Sequence, residues 1–119
     1  MGKDKKACFN QTVLIRADAI GKGDSELGKV LVLKYLNALV RRAEKPQTLI
    51  FMNSGVHLLH RGTSTAVAVE RLQDCGVQIL ADLTAVEYYR LNLQDVVGEI
   101  VSNDVIVEIL CKATNVLTL

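Results

Sequence analysis

The sequence predicts an α/β protein, a three-layer α/β/α sandwich built on a parallel five-stranded sheet. Two observations carry that reading. Five short apolar runs, 12-TVLIRAD-18, 47-QTLIFMN-53, 77-VQILAD-82, 98-GEIV-101 and 115-NVLTL-119, alternate with four segments that show helical spacing or helix caps. Most of these runs are nearly continuous Val, Ile and Leu, without polar alternation. Strands of that kind are buried on both faces, and in an alternating βα order this means a parallel sheet. Right-handed crossovers then place helices on both sides.

A polar N-terminal tail over residues 1–11 precedes the first strand, which stops at Asp18 and a glycine-bearing loop. A helix follows in 24-DSELGKVLVLKYLNALVRRAEK-45. Asp24 is placed to cap its first free N–H groups, and Glu26 suits the positive end of the helix dipole. Arg41, Arg42 and Lys45 suit the opposite end. At about 100° per residue, Glu26, Lys29, Lys34, Asn37, Arg41 and Glu44 form one polar stripe, and most of the rest is apolar. That apolar face is wider than one sheet contact requires, so the helix is either deeply buried or meets another subunit.

Pro46 is expected to close this helix ahead of the second strand. The loop SGVHLLHRG then leads to a shorter helix opened by Thr63, Ser64 or Thr65. Gly76 suits the left-handed position just past its C-terminus. After the third strand, Thr84 and Glu87 make a T-x-x-E capping box, which predicts a helix starting at Thr84. Ser102 or Asn103 caps the last helix, 104-DVIVEILCK-112, and the fifth strand ends the chain.

The chain has 119 residues, half of them hydrophobic and one a proline, which fits one domain over residues 12–119 with a single core. Net charge is +1 with acids and bases interspersed, so no basic face for nucleic acid is present. No run approaches the ~20 apolar residues that span a bilayer. The basic start, MGKDKK, is not followed by the apolar run and cleavage site of a secretory leader. Three cysteines, Cys8, Cys75 and Cys111, are odd in number and far apart. They give neither a CxxC metal motif nor a disulfide framework, and a reduced, cytoplasmic setting is expected.

In an open parallel sheet, ligands gather beyond the carboxyl ends of the strands, where loops and helix N-termini converge. Those ends read Asp18, then Asn53-Ser54-Gly55, then Asp82, then Ser102-Asn103: a polar, partly acidic rim. His57 lies in the loop after strand two, and of Tyr88 and Tyr89 one packs on the sheet while the other leans over the rim. The candidate ligand-binding residues are therefore Asp18, Asn53, Ser54, Gly55, His57, Asp82, Tyr88 and Asn103.

Other motifs fail. The loop 21-GKGDSELGK-29 lacks the GxxxxGK[ST] of a P-loop, and its third glycine falls too late for GxGxxG. Asp24 and Glu26 there would repel phosphate. A receiver domain would need an acidic pair ending strand one and a lysine in strand five, and neither is present. His57 and His60, with Asp18 or Asp82, outline a mixed N/O metal set, but no other spacing supports one. No metal or other cofactor is expected.

Asp82 and Cys75 are the catalytic candidates, and neither has an identifiable partner group. Cys75 is predicted at a helix C-terminus, where the negative end of the dipole makes a thiolate a poor nucleophile. Burial is expected for Cys75 and Cys111, and exposure for Cys8 in the tail.

From 12-TVLIRADAIGKGDSELGKVLVLKYLNAL-39, through 46-PQTLIFMNSGVHLLHRGTS-64 and 76-GVQIL-80, to 98-GEIVSN-103, the chain resembles the DsrE/DsrF-like superfamily. Within it, the C-terminal domain of YedF-type proteins is the nearest in character; these are sulfurtransferase-like and linked to selenium metabolism. GDSELGK and NSGV are the most specific pieces. The resemblance implies the parallel five-stranded α/β/α fold, a homo-oligomer such as a dimer, trimer or hexamer, and a place in sulfur handling.

An active member of that superfamily carries sulfur as a cysteine persulfide, on a C-G-T-C turn after strand three in the YedF type. This chain has 82-DLTA-85 there, so Asp82 and Ala85 occupy both thiol positions. His60 likewise stands where a cysteine of relatives is expected. A carboxylate cannot hold transferable sulfur. The expectation is a non-catalytic oligomer related to sulfur-relay proteins, binding a small ligand or a sulfur-relay partner at the rim. The alternative is a sulfurtransferase or sulfur carrier acting through Cys75 or Cys8. A hydrolytic or metal-dependent activity of His57, His60 and Asp82 is a third possibility.

Overall fold

The computed structural model describes residues 8–119. In order these form β1 (Cys8–Ile15), α1 (Ser25–Arg41), β2 (Lys45–Phe51), a 3-10 turn (Asn53–Leu59), α2 (Ser64–Asp74) and β3 (Gln78–Asp82). Then come α3 (Leu83–Tyr88), a short 3-10 turn (Leu93–Asp95), β4 (Glu99–Val101), α4 (Asn103–Lys112) and β5 (Val116–Thr118). The five strands lie in the order β4-β3-β2-β1-β5, and every pairing is parallel. The expected α/β/α sandwich is what the chain forms.

The strand order decides which helix covers which face. From β1 to β2 to β3 the chain steps one way across the sheet, so right-handed crossovers put α1 and α2 on the same side. From β4 to β5 it returns over the whole sheet, and α4 lands on the other side. Pleating then sends alternate residues to each. Val13, Ile15, Leu49, Phe51, Ile79 and Ala81 face Val32, Leu36 and Leu39 of α1 and Val69 and Leu72 of α2. The opposite cluster is small: Ile50, Leu80 and Val101 against Ile106 of α4, with Leu14, Met52, Ile109 and Leu110 half-buried at its edge.

The caps follow the local chemistry. Asp24 Oδ1 accepts from the N–H groups of Glu26 (2.8 Å) and Leu27 (3.3 Å). Thr63 Oγ1 accepts from Ala66 N–H at 3.1 Å, which selects Thr63 among the three residues that could open α2. Gly76 takes φ +99°, and two reversed bonds close the helix, Gly76 N–H to Gln73 O and Val77 N–H to Leu72 O.

Several boundaries differ from the sequence reading. α1 stops at Arg41, and Arg42 is already extended. Lys45 and Pro46 open β2, facing Cys8 and Phe9 of β1, so Pro46 begins a strand and does not close the helix. Lys45 is buried, and as expected its ammonium sits at the negative end of the helix dipole, donating to the carbonyl of Arg42, the C-cap of α1. β1 starts at Cys8, ahead of the expected Thr12, and a register irregularity between Phe9 and Thr12 absorbs the polar Asn10 and Gln11. The side chain of Cys8, expected to be exposed, lies outside the described residues.

The capping box does not form. β3 runs into α3 without a loop, so Asp82 occupies the cap position and Thr84 is already inside the first turn. Cys111 is exposed, contrary to the expected burial. The stripe of α4 that meets the sheet is Ile106, Ile109 and Leu110, and the next residue falls off it. Cys75, at the cap of α2, is half-buried.

On α1, Leu27, Val30 and Leu31 remain exposed. Burial within this chain therefore does not account for the full width of its apolar face. Among the described residues, no helix is long and apolar enough to cross a membrane.

Candidate functional site

The sheet face under α4 is filled in rows. Leu14 lies beside Ile50, and Ile50 beside Leu80. One pleat nearer the carboxyl ends, the same register brings Arg16, Met52 and Asp82 into line, with Val101 beside Asp82. Neighbouring strands are ~4.8 Å apart, so the backbones of Arg16 and Asp82 stand ~10 Å from each other across Met52.

α4 packs on this face through Ile106 and leaves the end beside Met52 and Asp82 open. The result is an open groove of about 820 Å³. Leu14 and Met52 form its floor; Ile106, Val107 and Leu110 of α4 make one wall, and Ala85, Tyr88 and Tyr89 make the other. Its polar groups are Arg16, Asn53, Asp82, Thr84 and Asn103.

Asp82 is the unusual member. It is 7% exposed, and among the described residues its Oδ1 has no hydrogen-bond partner. An aspartate at a helix N-cap ordinarily accepts from an N–H of the first turn. Asp82 makes no such bond. A buried acceptor left without a donor costs on the order of 1–3 kcal/mol, and nearly all such groups in folded proteins find a partner. Arg16, also on the groove, is exposed and donates its Nε to the Leu119 carbonyl at 3.2 Å.

The tyrosine pair divides as the sequence suggests. Tyr89 is half-buried, with its hydroxyl donating to Asn53 Oδ1 at 2.9 Å and its ring 4.4 Å from that of His57. Tyr88 is 78% exposed at the groove edge and meets Tyr89 edge-on at 5.2 Å.

The rim residues read from the sequence do not form one site. Asn53, Asp82, Tyr88 and Asn103 surround the groove. Asp18 and His57 instead line a separate cavity of about 260 Å³ with Lys29, Thr63, Ser64 and Thr65. Ser54 Oγ accepts from the Asp18 N–H at 3.2 Å, and buried Gly55 packs so closely under the Ile15 carbonyl that a Cβ would lie 2.5 Å from its oxygen. The cause is local. Asn53 adopts φ +49°, and the 3-10 turn it opens carries Val56, Leu58 and Leu59 into the core on the α1/α2 side.

The remaining chemistry-bearing residues are elsewhere. Backbone pairing joins His60 to Val96, and its carbonyl accepts from the Thr63 hydroxyl at 2.7 Å. Among the described residues no three His, Cys, Asp or Glu side chains come together as a metal set. Cys75 precedes β3, and the length of that strand, ~13 Å at 3.3 Å per residue, separates that end of the sheet from Asp82. Cys111 lies eight residues along α4 from Asn103, an axial distance of ~12 Å. The backbone of Cys8 opens β1 at the same amino edge.

Sequence reasoning missed Arg16, Met52 and the α4 wall. Their signal was present in part: Leu14 and Arg16 are two apart on one strand, and Ile106 and Leu110 four apart on one helix. Recognising them as a groove required knowing that a single helix covers that face.

Five parallel strands with helices against both faces make this a three-layer α/β/α fold. Among solved structures, the crystal structure of the YchN protein from E. coli superposes with a TM-score of 0.65, covering 93% of this chain and 100% of that one at 16% identity. At that identity the likeness is one of fold. No protein-family model and no curated protein matches the sequence.

Proposed function

We propose that this chain is a DsrE-like protein of the sulfur-relay kind, related to YedF-type domains, whose former thiol turn now serves to hold a small ligand. It acts in the cytoplasm as a non-catalytic homo-oligomer. The observation that carries the reading is Asp82: the residue that ends β3 and stands at the cap of α3 is a buried carboxyl with an unmet oxygen, on a mostly apolar groove. A carboxylate cannot form the S–S bond of a persulfide, so sulfur relay through this turn has no acceptor atom. Cys75 and Cys111 are the described thiols, and neither lines the groove. The oligomer rests on the exposed Leu27, Val30 and Leu31 of α1 and Val67 of α2, two helices that pack side by side.

The test is to incubate the purified protein with a sulfane-sulfur donor and map any persulfide by mass spectrometry. Cys8, Cys75 and Cys111 are expected to remain free of stoichiometric sulfur. A full equivalent on Cys75 or Cys8 would establish a sulfur carrier instead. Native mass is expected at an integral multiple of the chain, and a strict monomer would remove the oligomer from the proposal.

A further inference from the structure

We infer that the groove under α4 takes an apolar ligand bearing a protonated amine, with the ammonium on Asp82; this rests on the ligand-holding reading above and names its ligand class. Three features select that chemistry. Asp82 is 93% buried on the groove, and Oδ1 has no donor from the protein among the described residues. A ligand donor at that point satisfies an acceptor that the fold leaves unmet, so the pairing is gained on binding and is not exchanged for an existing protein bond.

The donor is best charged and compact. Hydrogen bonds in which a partner is ionised are roughly twice as strong as neutral ones. An ammonium offers three donors from a single small atom, which suits one recessed oxygen better than a planar guanidinium does. Next to Asp82 along the sheet is Met52, with Leu14 further along the groove floor and Ile106 and Leu110 on the α4 wall. These are hydrocarbon surfaces with a flexible thioether among them, suited to an aliphatic tail. The groove volume of about 820 Å³ lies inside the range of small-molecule sites, about 300–1,000 Å³.

Arg16 offers the opposite choice, an anion at the other end of the row. Its guanidinium is exposed and already has the Leu119 carbonyl, so an added anion there gains little against water. The unmet buried group decides the preference.

Isothermal titration calorimetry with hexylamine, hexanol and hexanoate near neutral pH separates the possibilities. Hexylamine is expected to bind about tenfold tighter than hexanol, the effect of one charge-assisted bond, with hexanoate weakest. In D82N, whose fold is checked by circular dichroism, hexylamine is expected to fall to the level of hexanol while hexanol is unchanged. Equal binding of hexylamine and hexanol by the wild-type protein, or tighter binding of hexanoate, overturns the amine assignment and leaves the groove as a ligand site. Failure of all three probes to bind overturns the ligand-holding reading itself.

Discussion

The two faces of the sheet are built from the same strands and differ in almost everything else. On one, α1 and α2 lie side by side and close a core in which Val13, Leu36, Leu49, Phe51 and Leu72 are without solvent exposure. On the other, α4 packs alone, and among the described residues the buried apolar cluster is just Ile50, Leu80, Val101 and Ile106. Topology sets this difference, because the three crossovers from β1 to β4 run one way and the fourth, from β4 to β5, must return across the full sheet. The doubly covered face supplies the stability. The singly covered one leaves a row of side chains, Arg16, Met52 and Asp82, lining a groove.

Replacing the same residue type on each face should break or uphold that contrast most clearly. Leu36→Ala is expected to cost about 3–5 kcal/mol in urea unfolding, because the cavity is enclosed by α1 and the sheet. Leu110→Ala, at the half-covered edge of the groove, is expected to cost about 1 kcal/mol, since much of that side chain stays in water. Equal losses would mean that both faces are closed cores.

The turn between the faces comes next. Gly55→Ala puts a Cβ 2.5 Å from the Ile15 carbonyl oxygen, a contact with backbone that no rotamer relieves. A loss of about 1–3 kcal/mol is expected. A neutral effect would show that the 3-10 turn can move away from β1, and with it the separation of Asp18 and His57 from the groove.

A smaller change of opposite sign is expected at Asp82. Asp82→Leu removes an unsatisfied buried oxygen and no cap bond, so it should stabilise the fold by about 1 kcal/mol in the same unfolding assay. Destabilisation would mean that the carboxyl has a structural partner.

The smallest effect belongs to Tyr35, half-buried on α1 against the doubly covered face. Burial raises its phenol above the ordinary value of 10.0. The folded state therefore favours the protonated form. That contribution is complete below pH about 10 and is lost as pH rises through the raised value. Tyr35→Phe should lose less stability than the wild type between about pH 9 and about pH 11, the range over which a phenol titrates. Equal losses would place the phenol in water.

The fold was legible because its signals are local. Continuous Val, Ile and Leu runs mark strands buried on both faces, and Asp24, Thr63 and Gly76 cap helices by chemistry confined to a few residues. The misplaced boundaries came where a local pattern had two readings. Pro46 can end a helix or begin a strand. Thr84 and Glu87 match a capping box whether or not a loop precedes them, and here none does. The site was half legible: the carboxyl ends of the strands gave Asn53, Asp82, Tyr88 and Asn103. The positive φ of Asn53, which turns Ser54–Leu59 to the other side, has no mark in composition. Arg16 and Leu14 become groove residues only through α4, a contact made almost a hundred residues later in the chain.

The most direct measurement is an amide chemical-shift map on titrating the protein with hexylamine. Shifts centred on Met52, Asp82, Ala85, Ile106 and Leu110 are the predicted result. Shifts centred on Asp18, His57 and Ser64, or none that saturate, would contradict the assignment of the site to the singly covered face.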